Sequence, residues 1–184
     1  MQPSDTAYPR FKSRLAQSEL ERFYTVTDAE RAYCDSATRS STTRSGFALL
    51  LKTYQRLGYF VTSEQVPNAI AEHVVSSLGE PYDRENLRQY DVSQARRKHL
   101  SAVREFLAVK PFGDDGKALI RQAFAEAALT KEDVIDIINI GIETLVRHRY
   151  ELPVFDTMSV IRILRCFHIS FPAVSGKPCI SWMD

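Results

Sequence analysis

The chain has 184 residues, 44% of them hydrophobic and 26% charged, and its 24 basic and 23 acidic side chains leave a formal net charge of +1. That is apolar material for one ordinary domain or two small ones, and the even balance excludes a uniformly basic nucleic-acid binder, leaving only local clustering to make such a surface. With three scattered cysteines (Cys34, Cys166, Cys179) neither a disulfide framework nor a zinc ribbon is expected; MQPSDTAYPR lacks the order of a signal peptide and no apolar run approaches the length that crosses a bilayer, so a reducing cytoplasm is the expected location.

Residues 1–22 read as an N-terminal arm, and 23–80 as a first helical subdomain. Thr27-Asp28-Ala29-Glu30 is a capping box that opens a helix to about Thr38. The polar run Thr38 to Thr43 is a turn. From Thr43 to Gly58 the apolar residues Phe47, Leu50, Leu51, Tyr54 and Leu57 recur at helical spacing, with Lys52 and Arg56 one turn apart on another side. Gly58 suits the left-handed C-cap of that helix. Pro67 opens a third helix, with Ile70, Val74, Val75 and Leu78 inward and Gly79 at its end. Three such helices are compatible with a helix-turn-helix unit.

The polar, Pro81-containing stretch 81–92 reads as a connector to a second helical subdomain, 93–170. Ser93 caps a helix to about Val109, which Pro111 and Gly113 break. Asp114 or Asp115 starts the next, with Leu119, Ile120, Ala123, Phe124 and Ala127 on its core face. Thr130 and Asp133 mark a further N-terminus. The helix after it, rich in isoleucine from Ile135 to Ile142, is apolar almost all round and is expected at the buried centre of its unit. A last helix is expected from Thr157 to Phe167, followed by an irregular tail, 171–184. The expected fold is all-α, with two small helix-turn-helix-like subdomains in tandem.

Charge is least balanced between Arg84 and Arg104: Arg84, Arg88, Arg96, Arg97, Lys98 and Arg104 stand largely against Glu85 and Asp91. Arg97 and Arg104, seven apart, share a helix face. Such a stripe can neutralise successive phosphates, and it reads equally as a solvated helix face. A second basic set, Arg39, Arg44, Lys52 and Arg56, is mixed with Ser40, Ser41, Thr42 and Thr43, hydroxyls of the kind that bind phosphate. His99 lies beside the first set, within reach of a phosphate. The carboxylates between Asp114 and Glu143 fall near helix N-termini, where capping and the helix dipole account for them. Cys34 and Cys166 read as core fillers. His73, His99, His148 and His168 form no HExxH, and no GxSxG, Walker or GxGxxG motif occurs, so neither a catalytic centre, a metal site nor a cofactor is expected.

FYTVTDAER from Phe23, GFALLLKTYQRLGYF from Gly46, VPNAIAEHVVSSLG from Val66, RKHLSAVREFLAVKPF from Arg97 and YELPVFDT from Tyr150 form an ordered set. In that order, over roughly Leu20 to Arg165, they resemble the N-terminal DNA-binding region of transposases of the Tn-three family, the class II replicative transposons. The resemblance implies an all-helical module that recognises terminal inverted repeats in double-stranded DNA. It implies DNA contact by Arg44, Lys52 and Arg56, and by Arg97, Lys98 and Arg104; Arg39, Arg84, Arg88 and Arg96 rest on charge clustering alone. Family members continue into an RNase H-like catalytic domain, whereas the tail VSGKPCISWMD does not look like that continuation. The expectation is a truncated, non-catalytic remnant with no membrane or small-molecule partner and with self-association open. The alternative is a helical protein–protein interaction module whose basic stripe is merely solvated.

Overall fold

A computed structural model describes residues 6–154. The helix expected at 157–167, the tail at 171–184, Cys166, Cys179 and His168 lie outside the described residues. Eight α-helices follow one another: α1 (Gln17–Tyr24), α2 (Asp28–Ala37), α3 (Ser41–Leu57), α4 (Asn68–Ser77), α5 (Arg84–Asp91), α6 (Gln94–Phe106), α7 (Asp114–Ala128) and α8 (Val134–Arg147). The described residues contain no β-strand, only an isolated parallel bridge between Lys110 and Tyr150, so the fold is all-α.

Local chemistry sets most of the boundaries. Thr27 Oγ1 accepts the Glu30 N–H at 3.3 Å and the Glu30 carboxylate accepts the Thr27 N–H at 2.8 Å, the reciprocal capping box of α2. Ser93 caps α6 and Asp133 caps α8. Gly58, at φ 75°, ends α3 and returns its N–H to the Tyr54 carbonyl at 2.7 Å.

Two helices depart from expectation. Part of the arm is helix α1, which buries Leu20 and Tyr24. The stretch 81–92 holds α5 rather than an irregular connector: Asp83 accepts the N–H groups of Glu85 and Asn86, and Leu87 and Tyr90 are buried. The turn geometry also differs. The connection 58–67 between α3 and α4, with a 3-10 turn at Ser63–Gln65, is far longer than the three or four residues of a helix-turn-helix. The short turns are 25–27, between α1 and α2, 38–40, between α2 and α3, and 92–93, between α5 and α6.

The buried centre of the first core is α3. Every α3 residue from Ser45 to Tyr54 is buried, and α1, α2, α4, α5 and α6 all pack against it. Small side chains permit this approach; a Cβ on Gly46 would stand 2.3 Å from the Tyr90 ring. Helix α8, expected at the buried centre of its unit, pairs with α7 as a hairpin and buries Ile137, Ile138, Ile142 and Leu145 in the second core. Phe124 lies where a Gly141 Cβ would be, while Val146 on the far side is 57% exposed.

The apolar side chains form two cores. The first collects residues of α1 to α6, including Val103, with Leu100 and Val109 packed against it. The second joins α7 and α8 to Tyr8 and Leu152. The division therefore falls after Val109, and α6 belongs with the first core rather than opening the second. Backbone hydrogen bonds tie the two together: Leu152 N–H to the Gly58 carbonyl at 2.8 Å, and Lys110 N–H to the Arg149 carbonyl at 2.7 Å.

Candidate nucleic-acid interface

Helix α6 is amphipathic. His99 and Val103 are buried, while Gln94, Arg97, Lys98, Ser101 and Glu105 are exposed. Their spacing of three and four residues puts them on one solvent-facing stripe. The first two turns of that stripe carry two cations and no acid. The helix turns this side outward because Tyr90, Phe47 and the core hold the other: the Tyr90 hydroxyl and His99 Nδ1 lie 2.9 Å apart, and the His99 ring meets Phe47 edge-on at 4.8 Å.

The α2–α3 turn sits beside the start of α6. Between them lies a shallow hollow lined by Thr38, Arg39, Ser40, Thr43, Gln94 and Lys98. Arg39 is exposed, and neither Arg39 nor Lys98 has an acidic partner among the described residues. Arg97 is equally unpaired and exposed. The hollow thus gathers Arg39 and Lys98 from the two basic sets, 59 positions apart in sequence.

Five of the other expected contacts, Lys52, Arg44, Arg96, Arg104 and Arg88, are engaged elsewhere. Lys52 is buried, with Nζ 3.2 Å from each oxygen of the buried Glu30 carboxylate, so it has no surface to offer a ligand. Arg44 bridges Asp35, at 2.8 Å, and Glu80. Arg96 faces Asp91 at 3.3 Å and donates to the Val61 carbonyl at 3.0 Å, which pins α6 to the loop after α3. Arg104 bridges Glu151 at 2.7 Å and lies 4.9 Å from the Phe60 ring centre, so it does not form an exposed pair with Arg97. Arg88 shares Glu64 and Glu85. Arg84 is half-buried on α5 with no described acidic partner. Arg56 is exposed at the other end of α3.

His99 is not a phosphate ligand in this arrangement. Its burial holds the imidazole below its usual value of 6.5, against an opposing contribution from the Ala37 backbone, and keeps it neutral at physiological pH. Burial likewise pushes the Cys34 thiol up to about 12, leaving an inert core filler. His73 is hydrogen-bonded to Thr25, and His148 to the Thr144 carbonyl. Among the acids, Asp133 caps α8 and Asp114 pairs with Lys117. The described residues contain no group of three or more His, Cys, Asp or Glu side chains arranged to hold a metal ion, and no helix among them is long and apolar enough to cross a membrane.

Gln94 and Ser101 were absent from the expected contacts. A helix capped at Ser93 already places 94, 97, 98 and 101 on one side, so spacing rather than charge carries the signal. The chain belongs to a family whose model, described as a domain of unknown function (DUF4158), matches residues 3–163. None of the curated proteins matches it.

Proposed function

We propose that this member of the DUF4158 family is a non-catalytic DNA-binding module that recognises the terminal inverted repeats of a replicative transposon. One observation carries the reading: the exposed stripe Gln94, Arg97, Lys98 and Ser101 lies beside the hollow that holds Arg39. A major groove admits one helix, whose N-terminal residues meet base edges. Arginine pairs with guanine O6 and N7, glutamine with adenine N6 and N7, and serine with several bases. Arg39 takes a backbone contact that sets register.

The resemblance to Tn-three transposases supports the same assignment, because its RKHLSAVREFLAVKPF piece begins at Arg97 on that stripe. GFALLLKTYQRLGYF corresponds to the central helix α3, so that piece reports packing rather than recognition. The non-catalytic part of the reading rests on the described histidines and Cys34, whose hydrogen bonds and burial give each a structural role.

The test is the binding constant of the full chain for a duplex carrying the transposon end and for a scrambled duplex, across salt concentrations. Arg97→Ala with Lys98→Ala is expected to weaken binding to the end sequence, by about 1–3 kcal/mol for a side chain that reads a base. The variant should also lower the ratio of end to scrambled affinity. Equal affinities in the wild type, or an unaltered ratio in the variant, would refute recognition by α6. A protein-interaction role has its own support in Leu129, Val146 and Val154, which are exposed around the α7–α8 hairpin. That role would be favoured by a chain that binds neither duplex but self-associates through these residues.

A further inference from the structure

The segment from Thr6 to Ala16 contains no acidic residue, and its three cations, Arg10, Lys12 and Arg14, are all exposed. Apolar anchors alternate with them. Tyr8 is buried, its hydroxyl donates to the Pro153 carbonyl at 2.7 Å, and its ring centre lies 5.0 Å from that of Tyr59. Tyr59 in turn donates its hydroxyl to the Pro9 carbonyl at 3.1 Å. Phe11 and Leu15 pack against the first core. The arm is thus held against the protein at 8, 11 and 15, and the residues between are left to solvent.

More positive charge adjoins it. Lys12 bridges Glu19 on α1, and Arg56 acts on the same carboxylate. The guanidinium carbons of Arg56 and Arg22 each stand 5.1 Å from the centre of the Phe23 ring. Lys12 and Arg56 therefore share Glu19, with Arg10 and Arg14 on either side of Lys12 in the sequence and Arg22 one turn beyond Glu19 on α1. Arg56 lies in the last turn of α3 and Arg39 just before its first. At about 1.5 Å per residue, this 17-residue helix separates the two basic regions by about 25 Å.

We infer that the arm surface of Arg10, Arg14, Arg22 and Arg56, around the Lys12–Glu19 pair, is a second phosphate-binding surface for duplex DNA, independent of base sequence. The inference rests on the reading of α6 as the recognition helix and adds a backbone contact remote from it. A duplex carries one negative charge per about 1.7 Å of axis, so one molecule can meet basic regions about 25 Å apart. A compact anion reaches only one of them. Contacts made at two separated regions of one ligand reinforce each other through effective concentration.

The experiment measures binding of the full chain to the end and scrambled duplexes over a range of salt, for the wild type, Arg10→Ala/Arg14→Ala and Arg10→Lys/Arg14→Lys. The alanine variant is expected to lose about two units of salt slope if each arginine holds one phosphate. It should weaken both duplexes equally and keep their ratio. The lysine variant should restore the slope, because a phosphate contact needs charge rather than a guanidinium fork. An unchanged slope in the alanine variant, beside a loss of end preference in Arg97→Ala/Lys98→Ala, would overturn the arm inference alone. A wild type that binds neither duplex in a salt-dependent way would overturn both readings. Tighter retention on poly-glutamate than on a duplex at equal salt would assign the arm to an acidic protein and overturn it as well.

Discussion

Burying Lys52 removes an ammonium group from water, and Glu30 provides the compensation. Its two oxygens stand 3.2 Å from Nζ, and the same carboxylate accepts Gln55 Nε2 at 2.7 Å and the Thr27 N–H at 2.8 Å. Lys52→Ala would leave that carboxylate buried without its counter-charge, at a cost of about 3–5 kcal/mol in denaturant unfolding. The pH dependence has a definite sign. Burial alone would raise the Glu30 carboxyl, but the Thr27, Gln55 and Lys52 interactions outweigh it and hold the group below its usual 4.5. A depressed acid contributes stability that is present above about pH 4.5 and lost as pH falls through the folded-state value. The stability of the wild type relative to Glu30→Gln/Lys52→Met should therefore fall on acidification through that window. A difference independent of pH would show that the pair does not titrate with folding.

Among the elements, α3 decides what can approach what. Tyr90 of α5 lies against Gly46, and its hydroxyl is hydrogen-bonded to His99 of α6, so three helices meet where α3 lacks a side chain. Gly46→Ala sets a methyl 2.3 Å from the Tyr90 ring and must displace α5. The expected cost is about 1–3 kcal/mol in denaturant unfolding, with the hollow between Arg39 and Lys98 reshaped as α6 moves. A variant as stable as the wild type would show that α5 is loosely seated on α3. The same helix marks the limit of what could be read in advance. The caps at Thr27, Ser93 and Gly58 were legible because each depends on residues within one turn. Lys52 looked like part of a basic stripe with Arg56, because its partner Glu30 is 22 residues away and becomes a neighbour only on folding. Helix α5 escaped notice because Leu87 and Tyr90 are its only buried residues, too few to set a period. Helix α8 was legible as the apolar element of its unit, where Ile137, Ile138, Ile142 and Leu145 fill the second core; that Val146 faces solvent was not, because composition does not record which side of a helix is covered. The stripe on α6 was half legible: its cations stood out by charge, while Arg96 and Arg104, equally basic, are tied to Asp91 and Glu151 by contacts that spacing does not reveal.

Over the whole molecule, the two cores differ in how they are supported. The first surrounds a helix buried through ten successive residues, Ser45 to Tyr54; the second consists of one helical hairpin, closed by Tyr8 and by Leu152, which is 1% exposed. Leu152 links the two, because its side chain fills the second core while its N–H donates to Gly58 at the end of α3. A small core with few neighbouring elements opens at a lower free energy than a central one, and amide exchange reads each opening separately. Leu152→Ala should leave a cavity worth about 2–5 kcal/mol in the second core while keeping the backbone hydrogen bond to Gly58. Hydrogen exchange followed by mass spectrometry is then expected to accelerate in α7 and α8, with little change for the amides of α3 between Ser45 and Tyr54. Equal acceleration in α3 and α8 would mean that the cores unfold as one cooperative unit, and the division after Val109 would be one of packing alone. Exchange confined to the hairpin would make it a separable unit, so that the duplex binding proposed for α6 should survive in a protein whose second core is open. Measuring duplex binding by Leu152→Ala under the same conditions checks that consequence, since α6, the α2–α3 turn and α3 all belong to the first core.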